Sequence, residues 1–199
     1  MVNTPRVEVV LDFVCVHSYL GFTRFRRAVE AHRRTGGEVE VRFAPFQLRP
    51  DASPDGEPLF ELHARERGES VAREIAASSI GEQDGLRLHF RRAIFTNTFE
   101  AHRLLAAASE QGSGEVMAER LFRAYFTDGL NIGDPPTLTA LADELGVAAP
   151  VGGADSLRAE LGRVRALGID MPPVFRFPSG AITGSGEFER FRAALRELI

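Results

Sequence analysis

The sequence predicts an α/β fold with the order βαβ, a long helical block, then ββα. Three observations predict it. An apolar strand opens the chain and runs straight into a helical period, with a second strand following. Strand character is then absent from Leu59 to Gly168. It returns as a hairpin with a closing amphipathic helix.

Arg6 to Val14 sets Val7, Val9, Leu11 and Phe13 on one face and Val10 and Val14 on the other, the pattern of a strand covered on both sides. After Cys15 the spacing of Tyr19, Phe22, Phe25, Val29 and His32 is helical, and Gly36-Gly37 ends the run. The lone cysteine is therefore expected at a strand-to-helix junction. Glu38 to Phe46 alternates charged with apolar residues, a half-buried strand returning parallel to the first through a right-handed crossover. Pro50 to Pro58 reads as a loop.

The helical block is expected as seven stretches: Leu59–Arg67, Val71–Ala77, Leu86–Ile94, Phe99–Gln111, Glu115–Phe126, Pro136–Leu145 and Ser156–Leu167. Asn97 with Glu100 reads as a capping pair, and Asp134 before Pro135-Pro136 as a helix start. Val174–Phe177 and Ala181–Thr183 form the hairpin. Ser185 is the expected cap of a last helix whose apolar face is Phe188, Phe191, Leu195 and Leu198. The expected organisation is one sheet domain from residues 1–47 and 169–199, with 48–168 as the helical insertion.

Composition narrows the function. All 24 basic residues are arginine against 28 acidic ones, a net charge of -4, so lysine Schiff-base chemistry and a P-loop lysine are excluded. The even spread of charge gives no footprint for a nucleic-acid backbone. A single Cys excludes intrachain disulfides and multi-cysteine metal sites. The five histidines lack metal-ligand spacing, so no metal site and no tightly bound cofactor is expected. With no apolar run able to cross a bilayer and no leader-like start, a cytoplasmic protein free of membrane is expected. A homodimer is the commonest assembly for such a chain.

The chemistry-bearing stretch is Asp12 to Phe22, D-F-V-C-V-H-S-Y-L-G-F. Cys15 precedes a helix whose free N–H groups stabilise a thiolate, and His17 beside it adds to that, so a lowered thiol pKa is expected. On the junction alone, an inert buried thiol is an equal reading. Met171-Pro172-Pro173 stands just ahead of the third strand.

With this order of elements, the chain resembles a thioredoxin fold with a helical insertion, and specifically the DsbA family in its FrnE-like branch, named from polyketide-biosynthesis clusters. The residues carrying the resemblance are D-F-V-C-x-x-x-Y-L-G at 12–21, P-F-Q-L-R-P at 45–50, N-T-F-E-A-H-R-L-L at 97–105 and L-F-R-A-Y-F-T-D-G-L-N-I-G-D at 121–134. The resemblance implies thiol-disulfide oxidoreductase chemistry, with Pro172 in a cis peptide after Met171 set against the sulfur.

The family's second active-site Cys is Ser18 here, and a hydroxyl cannot resolve a mixed disulfide. Cys15 would then act as a monothiol, with glutathione or another small thiol as co-substrate and a small thiol or protein disulfide as partner. Ser18 would donate a hydrogen bond to the sulfur. His17 would stabilise the thiolate, Tyr19 would wall a substrate cleft, and Asn97 and His102 would contact substrate. Tyr19 as core, Asn97 as a cap and His102 as a satisfied buried histidine are the plain structural readings of the same residues. Asp12 reads as a strand-end hydrogen-bonding group.

The segment also resembles the S-P-Y-S junction of kappa-class glutathione transferases and hydroxychromene-carboxylate isomerases, where the position of Cys15 stabilises a bound glutathione thiolate. A redox-inactive binding protein of a biosynthetic pathway is the third alternative.

Overall fold

The first strand, β1 (Arg6–Leu11), is fully buried beyond Arg6 and forms the middle of a four-stranded sheet in a computed structural model that describes residues 4–198. Residues 1–3 and 199, included in the expected domain limits, lie outside the described residues. The helix α1 (Val16–Arg34) crosses to β2 (Glu40–Pro45), which pairs parallel with β1 in the register Val7↔Val41 and Val9↔Phe43. On its other side β1 pairs antiparallel with β5 (Val174–Phe177), and β5 with β6 (Gly180–Thr183), giving the order β2-β1-β5-β6. The helix α8 (Phe188–Arg196) closes the chain.

Chain contacts divide the molecule into two units, residues 1–48 with 153–199, and residues 49–152. In the first unit the two sheet faces carry different cores. Phe25 of α1 and Phe191 of α8 meet Phe175 of β5 at centroid distances of 5.1 Å, 5.5 Å and 4.6 Å within the triangle, largely edge to face. On the opposite face Val10, Ala44 and Val174 pack with Val164 of α7 (Ala154–Ala166). Glu8, next along that face, is held between Arg163 and Arg176, and Arg163 also holds Glu160. The helix expected as the last of the insertion is thus a cover for the sheet.

The second unit holds a two-stranded antiparallel pair, β3 (Glu57–Pro58) with β4 (Ile94–Phe95). Its helices are α2 (Leu59–Arg67), α3 (Glu69–Ala76), α4 (Phe99–Glu110), α5 (Gly114–Arg123) and α6 (Pro135–Glu144). Asp134 caps α6 as expected, its carboxylate accepting from Thr137 N and Oγ1. The strand pair overturns the expectation of an unbroken helical block. The expected helix Leu86–Ile94 is absent: a 3₁₀ turn at Glu82–Asp84 leads into an irregular segment. Its backbone is satisfied by distant groups, His89 N–H donating to Phe126 O and Thr127 Oγ1 to Arg87 O. Phe126 and Thr127 belong to a wide turn at Ala124–Asp128 that prolongs α5 by i→i+5 bonding.

Two glycines permit close approaches. A Cβ on Gly21 would lie 3.0 Å and 3.1 Å from the Phe175 ring and 3.1 Å from Ser185 Cα, so α1 seats closely on β5 and the loop after β6 only without one. A Cβ on Gly133 would lie 2.2 Å from Thr96 Oγ1. Among the described residues, no helix is long and apolar enough to cross a membrane.

Candidate functional site

Cys15 occupies the residue before α1, in extended conformation, after a turn in which its N–H donates to Asp12 O at 3.1 Å. Its carbonyl accepts from Tyr19 N at 3.2 Å and so starts the helix. In that position a side chain lies where an N-cap oxygen would, and Ser18 stands three residues on. Hydrogen bonds to the sulfur from the Ser18 hydroxyl and from the amides of Ser18 and His17 favour the thiolate.

Burial opposes them and prevails. Cys15 is 7% exposed, and desolvation is the largest influence on its thiol, pushing its pKa above the ordinary value. The negative field of Asp12 adds to the rise. The expectation of a lowered pKa is therefore corrected: the helix end and Ser18 do pull downwards, but they are outweighed. At neutral pH the site rests as a thiol, and Cys15 Sγ donates to Pro172 O at 3.7 Å.

That contact brings together residues 157 positions apart. The cis peptide lies one bond later than expected, at Pro172–Pro173 and not after Met171. Both bonds carry the low cis cost of an X-Pro link, so the sequence does not choose between them. Tertiary placement does: Pro173 O accepts from Gly184 N at 2.9 Å, extending the hairpin, while Pro172 O turns to the sulfur. Met171 is 64% exposed beside them.

The neighbours of Cys15 divide by burial. Ser18 and Asp12 are both wholly buried. Asp12 N–H donates to Ser18 Oγ at 3.4 Å, and Asp12 Oδ2 accepts from Leu48 N at 2.8 Å, tying β1 to the chain beyond β2. Its role as a strand-end hydrogen-bonding group is accompanied by the electrostatic one at the sulfur. Tyr19 is 3% exposed and belongs to the core, so it forms no open wall. His17 is exposed, and its Nδ1 lies 3.3 Å from Ser185 Oγ. What His17 gives the sulfur is its backbone amide. Ser185 does not cap α8, where Glu187 holds the cap position; its hydroxyl faces His17 instead.

Asn97 and His102 belong to the second unit. Asn97 Oδ1 accepts from Phe99 N at 2.9 Å and Nδ2 donates to Pro50 O at 2.8 Å, but Thr98 holds the cap position of α4, so Asn97 is one residue short of the expected cap, and Glu100 pairs with Arg103 instead of completing a box. His102 is buried in α4. Sequence reasoning missed Ser185 as a neighbour of His17, although the G-S-G turn at 184–186 was visible, because only the tertiary packing of α1 on the hairpin brings them together. Among the described residues, no group of three or more His, Cys, Asp or Glu is arranged to hold a metal ion.

The family model for a DSBA-like thioredoxin domain matches residues 6–157. An uncharacterized protein of Bacillus subtilis strain 168 is 29% identical over 148 residues, 72% of this chain and 68% of the relative. The crystal structure of a probable DsbA oxidoreductase from Streptomyces coelicolor superposes with a TM-score of 0.85 at 28% identity, covering 98% of this chain and 89% of that one. A cytosolic disulfide reductase, DsbM, from Pseudomonas aeruginosa, solved with GSH, shares the fold at a TM-score of 0.61 and 21% identity, with 96% and 98% of the two chains covered.

Proposed function

The chain belongs to the DSBA-like thioredoxin domain family, and from that premise we propose that it is a thiol-disulfide oxidoreductase working through the single sulfur of Cys15. One observation carries this reading. The sulfur lies at the N-terminal end of α1, under the amides of His17 and Ser18, with the carbonyl of Pro172 facing it. The amides stabilise negative charge on sulfur as it ionises, attacks or leaves, whereas the carbonyl favours the resting thiol.

The cycle runs by mixed disulfide. The thiolate of Cys15 attacks a disulfide, a Cys15–S–S bond forms, and an external small thiol such as glutathione resolves it, because Ser18 cannot. A raised thiol pKa leaves little thiolate at pH 7 but makes that thiolate the stronger nucleophile. Exchange therefore accelerates with pH. Resolution by an external thiol suits a compartment with a reducing thiol pool, and we place the protein in the cytoplasm on that ground.

Incubation with oxidised glutathione followed by intact-mass measurement tests the proposal. The expected result is one glutathionyl adduct on Cys15, reversed by added thiol and absent in Cys15→Ser. No adduct at any pH would refute it.

A second reading is favoured by the protonated state of the sulfur. A neutral thiol donating to Pro172 O is also able to donate to the thiolate of a bound glutathione, as required of a glutathione-dependent isomerase or transferase. That reading predicts glutathione binding without a covalent adduct, and activity surviving Cys15→Ser.

A further inference from the structure

The sheet of the first unit ends at β2, which pairs with β1 and, among the described residues, with no strand beyond it. One bond sets the direction of its main-chain groups. Glu40 N–H donates to Pro5 O at 2.9 Å, so Glu40 faces β1, and alternation along the strand turns Arg42 and Ala44 the same way. Val39, just ahead of the strand, and Val41 and Phe43 within it therefore present their N–H and C=O groups outwards. Val39 O accepts from Arg33 Nη2 at 3.1 Å and keeps a second lone pair. The outward groups of Val41 and Phe43 meet no hydrogen-bonding partner among the described residues. Pro45, with no N–H, ends the run.

An open edge of this kind is a template for another chain unless its side chains repel one. Those of β2 suit a second copy of the same strand in a single register. In a two-fold antiparallel pair centred on Val41, Glu40 of each copy stands opposite Arg42 of the other, and Val39 stands opposite Phe43. Centring on Glu40 or Arg42 sets like charges face to face, and centring on Val39 sets Glu38 against Glu40. Centring on Phe43 puts Val41 opposite Pro45, which has no N–H to give. Within one chain Arg6 holds Glu40 at 3.0 Å and Glu160 holds Arg42 at 2.8 Å, and both Glu40 and Arg42 stay half-exposed. The pairing joins these into a row of alternating sign, Arg6 and Glu40 from one copy with Arg42 and Glu160 from the other. Each such pair adds little affinity, but together they select the register.

We propose that the chain forms a homodimer through β2, a two-fold antiparallel pair centred on Val41 that joins two four-stranded sheets into one. The assembly is closed, because each copy uses its single β2 edge. The edge left on either side is β6, whose residues carry no charge to fix a register.

Sedimentation equilibrium of the full chain tests this, with circular dichroism to confirm that each variant is folded. The unaltered chain is expected to have the mass of two copies. Val41→Pro removes an outward N–H while leaving the bonds to β1 in place, and is expected to raise the dimer dissociation constant about tenfold or more. Arg42→Glu sets like charges opposite each other and is expected to weaken the dimer as well. Adding Glu40→Arg to it exchanges the two charges and is expected to recover part of the loss, which a merely damaged strand would not do. If Val41→Pro does not fold, the charge exchange alone decides. A chain that is monomeric at every concentration overturns the proposal. So does a dimer that the folded variants leave unmoved, or a loss in Arg42→Glu that the exchange does not recover.

Discussion

Two buried polar sites, one in each unit, serve opposite ends. In the unit of residues 49–152, Arg120 of α5 is almost entirely buried, and its guanidinium is held by both oxygens of Glu144 and by Asp128 at 2.8 to 2.9 Å. Every charge in that cluster has an opposite one, and the cluster ties α5, its wide terminal turn and α6 together. In the sheet unit Asp12, Cys15 and Ser18 are buried around one end of α1, where the sulfur meets the negative field of Asp12. There the carboxylate and the sulfur repel, and the sulfur stays protonated. Compensated burial yields architecture, whereas burial that leaves one titratable group unfavourably charged makes that group the reactive one.

The widest separation between the two regions comes from removing their central groups. Cys15→Ser is expected to abolish thiol-disulfide exchange completely while leaving the denaturant midpoint nearly unchanged, since it exchanges one small buried donor for another. Arg120→Ala is expected to do the reverse. It should cost about 1 to 3 kcal/mol in urea unfolding, because Glu144 and Asp128 lose their shared partner, with the alkylation profile of Cys15 unmoved. If Arg120→Ala shifted that profile, the division of labour would be wrong.

Smaller changes sharpen the electrostatic half of the comparison. Asp12→Asn removes the carboxylate charge but keeps an oxygen for Leu48 N–H, so the Cys15 pKa should fall and alkylation at pH 7 should quicken severalfold. Ser18→Ala removes a hydrogen bond that favours the thiolate, so the pKa should rise further and alkylation should slow. The two variants must move in opposite directions.

The smallest effect concerns stability. The folded thiol binds its proton more tightly than the unfolded one, so its contribution is fully present below the unfolded pKa, about 8.5, and is lost as pH rises through the folded value. Urea titrations above pH 8 should show this alkaline loss, and Cys15→Ala should remove it.

The sheet and its crossings were legible because periodicity reports them: the apolar run before Cys15, the alternation of Val39, Val41 and Phe43, and the Pro-Ser-Gly turn between β5 and β6. Residues 86–94 misled for the same reason. Leu86, Phe90 and Ile94 have helical spacing, but between them the His89 N–H donates to Phe126 O and Arg87 O accepts from Thr127 Oγ1, which no local pattern records. At the site, position was legible and energetics were not. The sequence puts Cys15 at a helix end, but how deeply it is buried, and which of two prolines faces it, depends on a strand more than 150 residues away. His17 likewise looked like a partner of the sulfur until packing gave its ring Ser185.

The most direct measurement of the central claim is the rate at which Cys15 forms its adduct with oxidised glutathione as a function of pH. The rate is expected to rise about tenfold per pH unit through neutrality, with a plateau only above the pH at which an unperturbed thiol ionises. A rate already level in mild acid, or no adduct anywhere in the range, would contradict it.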